Sequence, residues 1–161
     1  MPANDNRSLD RILRTVRGHI RTYNLPRPDR LVISTPSRSV HAEFTAGTAV
    51  DRFAAVLLWT ATLHGTEFGL TYGARDEIRL AATGQTSTGI GLGLTCSGSV
   101  FELGGTVEEH DGLNGWTHRF ATLPGLPTLA EARTNFASYD ELARLVASAR
   151  TVTPAVAGVA A

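Results

Sequence analysis

The 161-residue sequence predicts an α+β protein. The expected architecture is a mainly antiparallel sheet of about six to seven strands with helices packed on one face, in the order α–ββ–α–βββββ–α. Three observations predict it. Apolar residues alternate with period two in seven short runs between residues 31 and 120, the pattern of strands covered on one side. Apolar faces of helical period occur near 9–23, 49–63 and 142–149. The links between the period-two runs are of hairpin length, without the strict βαβ alternation of a parallel sheet.

The elements follow in order. Leu9, Ile12, Leu13, Val16, Ile20 and Tyr23 line one side of a first helix, which Leu25-Pro-Arg-Pro28 ends. Leu31 and Ile33 alternate on a strand, Ser34-Thr-Pro-Ser-Arg38 turns, and Val40, Ala42 and Phe44 alternate on the next. Thr48-Ala-Val-Asp51 resembles a capping box for a helix near 49–63 that Gly65 closes. That helix is apolar on most sides and is expected to be the most buried. Strands then follow at Phe68–Tyr72, Ile78–Ala82, Ile90–Cys96, Phe101–Val107 and Trp116–Phe120. Thr128-Leu-Ala-Glu131 and Ser138-Tyr-Asp-Glu141 read as capping boxes of short helices, the second carrying Leu142, Leu145, Val146 and Ala149.

Residues 1–6 are expected to be a flexible N-terminus, 7–150 a single domain, and 151–161 a disordered tail. The N-terminus lacks the apolar core of a signal peptide, and no stretch reaches the roughly 18 apolar residues of a membrane span. Cys96 is the sole cysteine, which excludes an intramolecular disulfide and a thiolate metal cage. A cytoplasmic setting without membrane contact is the expectation.

All fifteen basic residues are arginine, and there are twenty-one alanines, a composition that points to a GC-rich bacterial genome. The formal net charge is zero, which argues against binding nucleic acid over the whole surface and favours self-association. The charge is unevenly placed. Seven arginines against three aspartates give residues 1–30 a formal +4, and eight against twelve give the remainder −4. Arg7, Arg11, Arg14, Arg17 and Arg21 recur at steps of three or four, within an arc of roughly 120°. Two readings compete: a solvated helix face, since arginine replaces lysine throughout, or a phosphate-facing surface suited to the guanidinium fork.

Other motifs carry less. Gly89-Ile-Gly91-Leu-Gly93 has Leu94 where a dinucleotide fingerprint needs glycine, so it reads as a strand whose glycine face admits a helix. His41 and Glu43 share a strand face but lack the downstream cysteines of a zinc deaminase. Glu108-Glu-His-Asp111 reads as a solvated acidic loop with cation-ligating potential. Cys96 continues an inward apolar row and reads as core. His118, between Trp116 and Phe120, reads as a core-edge histidine or a pocket wall.

No cofactor or metal motif emerges. The leading expectation is a small non-enzymatic binding or regulatory protein that offers Arg7, Arg11, Arg14, Arg17 and Arg21 to an acidic partner, nucleic acid or protein, with Arg27 and Arg30 extending the surface. One alternative is a small-molecule domain or cofactor-independent enzyme with a pocket between sheet and central helix, lined by Trp59, Trp116 and His118. Another is a structural subunit, a homo-oligomer or a component of a phage or mobile element.

Overall fold

The computed structural model describes residues 3–152, with side chains from residue 6 onward. The architecture is α+β, with three α-helices and nine strands among the described residues. Helix α1 (Ala3–Tyr23) begins within the stretch expected to be flexible. It ends in a Schellman motif: Asn24 takes a left-handed φ of 50°, Leu25 N–H donates to the Ile20 carbonyl at 3.0 Å, and buried Leu25 closes the apolar contact. The Trp59 indole then donates to the Pro26 carbonyl at 2.8 Å and fixes the linker to the core.

Strands β1 (Arg30–Ser34) and β2 (Ser39–Phe44) form the expected hairpin. Helix α2 (Ala49–Thr60) starts at the Thr48–Asp51 capping box and buries Val50, Phe53, Val56, Leu57 and Trp59. It ends before Gly65, which lies in β3 (His64–Gly73) and does not cap it. A short 3₁₀ turn, Ala74–Asp76, leads into β4 (Glu77–Gln85), and β5 (Gly91–Ser99) follows. Strand β5 lies parallel to β2 and antiparallel to β4.

The later chain departs from the sequence reading at three places. Residues 101–104 form a turn, not a strand; Leu103 is buried in it, and Gly105 N–H returns to the Val100 carbonyl at 2.9 Å. Glu108–Asp111 lie on β6 (Thr106–Asp111), not in a loop, because β7 (Thr117–Thr122) pairs with all six residues. Thr128–Glu131 starts no helix: Leu129 is buried on the two-residue β8 (Leu129–Ala130) beside Ala121, and Ala132 turns left-handed. The chain then adds β9 (Thr134–Ala137) to β3 before α3 (Tyr139–Val152), whose Ser138–Glu141 capping box is formed. Helix α3 contains Thr151 and Val152 of the expected tail; residues 153–161 of that tail lie outside the described residues.

The main sheet has the order β1-β2-β5-β4-β3-β9, and β6-β7-β8 form a second, smaller sheet. Alternation places Val40, Ala42, Leu92, Leu94, Leu80, Leu70 and Tyr72 on the buried face, joined to residues of all three helices in one core. The opposite face is solvated. It carries Arg30, His41, Glu43, Gly93, Thr83 and Ala81, so the glycine row of β5 faces away from the helices and receives the His41 ring over Gly93. The small sheet joins the β3–β4 end of the main one. Asp76 accepts from Arg119 and from the Tyr72 hydroxyl, while Glu109 accepts from Arg119 at 3.1 Å. Burial and the hydrogen bond to Asp76 push the Tyr72 phenol up to about 12, so it stays a donor.

Candidate polyanion-binding surface

Helix α1 docks through a narrow apolar strip. Ile12 and Val16 are buried, Leu9, Leu13 and Ile20 are half-buried, and His19 Nε2 meets Thr62 Oγ1 at 2.8 Å. Burial of His19 lowers its pKa, so its neutral form holds that contact. Docking through this strip leaves Arg7, Arg11, Arg14, Arg17 and Arg21 exposed. Among the described residues, none of the five forms an ion pair with a carboxylate. Fourteen steps at 1.5 Å rise spread the stripe over about 21 Å.

A sixth arginine joins them from outside the helix. Arg38 sits in the β1–β2 turn, and with Arg7 and Arg11 it flanks a groove of about 510 Å³ lined also by Ile12, Thr88 and Ile90. Its φ of 48° is the left-handed region, which costs an L-residue ~1–2 kcal/mol relative to its right-handed form. Hydrogen bonds hold it there: its N–H donates to the Thr35 carbonyl at 3.3 Å, and its carbonyl accepts from Gly91 N–H at 3.2 Å. The Ser37 hydroxyl bridges Ser34 at 2.7 Å and Ser39 at 2.6 Å. Sequence reading missed Arg38 because only the tertiary placement of α1 beside this turn makes it a neighbour of Arg7. The turn motif was the one available signal.

Arg30 does not extend the stripe. It lies on the solvated sheet face and pairs with Glu43 at 3.7 Å, whereas Arg27 is exposed in the linker. The alternative pocket residues do not converge. Trp59 is fully buried beneath α1, Trp116 is exposed at the tip of the β6–β7 hairpin, and His118 is exposed on β7. His118 lines a different groove, about 630 Å³, with Arg119, Phe120, Glu131 and Arg133. His41 reaches Thr95 Oγ1 at 3.0 Å and Glu43 at 3.9 Å, and His110 lies 3.4 Å from Glu108. Among the described residues, no three His, Cys, Asp or Glu side chains are arranged to hold a metal ion. Cys96 is buried, and desolvation pushes its thiol up to about 12, which leaves it protonated and unreactive.

No helix among the described residues is long and apolar enough to cross a membrane. No family model, curated protein or solved structure matches the chain.

Proposed function

We propose that this protein is a non-enzymatic cytoplasmic binding protein that holds the phosphate backbone of a nucleic acid on the arginine face of α1. The observation that carries the reading is the exposure of Arg7, Arg11, Arg14, Arg17 and Arg21 on one helix face without a carboxylate partner among the described residues. A merely solvated helix often interleaves acids at i±4; here Asp10 is the one acid within the stripe's span, and among the described residues it makes no ion pair. The stripe's length of about 21 Å matches roughly six base-pair steps at 3.4 Å. Guanidinium groups bind phosphate oxygens in paired hydrogen bonds, and contacts to phosphate carry no sequence information, so binding through the backbone is phosphate-dominated and weakly sequence-specific.

Fluorescence anisotropy of labelled single- and double-stranded DNA and RNA across a salt series tests this. The expected result is an affinity that collapses with salt, with a shallower slope in Arg14→Ala and Arg17→Ala. Flat anisotropy at low salt for all four probes overturns it.

A further inference from the structure

The β6–β7 hairpin carries a feature that the arginine surface does not use. Its tip, Gly112-Leu-Asn-Gly-Trp116, exposes two large apolar side chains: Leu113 is 108% exposed and Trp116 is 74% exposed. The turn is well defined. Gly112 N–H donates to the Trp116 carbonyl at 2.8 Å, Gly115 N–H returns to the Gly112 carbonyl at 3.1 Å, and Gly115 takes a φ of 72°. Gly112 is closely packed, since an added Cβ would lie 3.0 Å from His118 Nε2 and from the Trp116 carbonyl and would require them to give way. Apolar groups on a pre-ordered turn lose little entropy on docking, and exposed tryptophan is a frequent anchor of protein interfaces.

We infer that this prong docks into the Arg7–Arg11–Arg38 groove of a second copy of the chain. Charge, shape and placement support that occupant. The arm (106–122) holds Glu108, Glu109 and Asp111 against Arg119, a formal −2 with histidines neutral, whereas the groove is lined by three arginines and no carboxylate. The groove volume of about 510 Å³ lies in the range that accepts a drug-sized group. Its chemistry suits the indole of Trp116, since guanidinium groups stack on an indole face.

The two surfaces stand at opposite poles of the sheet. Strand β5 starts at Gly91 beside the groove and ends at Ser99 beside the 3₁₀ turn that anchors the arm, eight steps or roughly 26 Å away. A copy therefore cannot fill its own groove, and the contact is head-to-tail. Because prong and groove are different surfaces, a single contact leaves one of each free, and repetition builds rings or open chains unless two antiparallel copies exchange prongs about a two-fold axis. The inference shares the groove with the polyanion reading but does not rest on it.

Sedimentation velocity on the full chain at low salt, without nucleic acid, is the test. Wild type is expected to show an average mass that rises with concentration and falls with added salt. A prong variant (Leu113→Ser with Trp116→Ser) and a groove variant (Arg11→Glu with Arg38→Gly) are each expected to be monomeric. Mixed one to one, the two variants should form a heterodimer, since each retains the half that the other lost. The mixing arm also checks folding, because a misfolded variant cannot supply its half. A wild type monomeric up to its solubility limit overturns the inference, as does a prong variant that associates like wild type or a mixture of two variants, both folded by circular dichroism, that stays monomeric. Failure here leaves the nucleic-acid titration untouched, and flat anisotropy there leaves this result standing.

Discussion

Arg38→Gly couples the backbone of the turn to the chemistry of the groove, and the two effects have opposite signs. At φ 48° the native arginine sits where an L-side chain costs ~1–2 kcal/mol and glycine costs nothing in strain. Glycine gives back about 0.4–1 kcal/mol through the greater freedom of the unfolded chain. The variant is therefore expected to be more stable by about 0.5–1 kcal/mol, a rise of roughly 2 °C in melting temperature for a chain of this length. It also removes one guanidinium from the groove, so the salt slope of duplex DNA binding should fall by about 0.9. Arg75→Gly is the control. Arg75 has a φ of 60°, is exposed, and lies at the pole away from the groove, so the same stabilisation is expected with an unchanged slope. Thermal unfolding followed by circular dichroism reads the first quantity, and anisotropy across salt the second. A destabilised Arg38→Gly refutes the strain argument. Equal salt slopes for the two variants refute the assignment of Arg38 to the binding surface.

Three further outcomes follow from the packing. Gly98→Ala would place a Cβ 2.4 Å from that of Ala49 at the start of α2, an overpacking expected to cost about 1–3 kcal/mol in urea unfolding; an unchanged midpoint would show that α2 shifts freely. Burial lowers the His19 pKa, so the unfolded chain takes up the proton first. The associated stability is complete above about pH 6.5 and declines as pH falls through the lowered folded value; His19→Gln should flatten that part of the unfolding profile. Cys96 should resist a thiol reagent in the folded protein and react at once in denaturant, and rapid labelling under native conditions would contradict its burial beside α2.

Legibility tracked the distance over which a residue's environment is set. The arginine face of α1 and its apolar back are readable because a helix repeats every 3.6 residues, so neighbours on the surface are neighbours in sequence. The capping boxes at Thr48 and Ser138 are readable for the same reason. An identical local motif misleads at Thr128, where burial of Leu129 against Ala121 outweighs the short-range preference for a helix. At Glu108–Asp111 a run of charges resembles a loop, and only pairing with β7 makes it strand.

What the chain alone determined, then, is its class, its three long helices, its β1–β2 and β3–β4 hairpins and the asymmetry of its charge, all of which depend on hydrogen bonds and periodicities spanning a few residues. The tertiary structure decided that β5 returns parallel to β2, that β9 closes the sheet beyond β3, and that Arg38 stands by Arg7 and Arg11. It also set the apolar hairpin tip at the far pole from that groove. These are choices among strand pairings distant in sequence, and burial of one shared core selects among them, a quantity no short window of sequence contains.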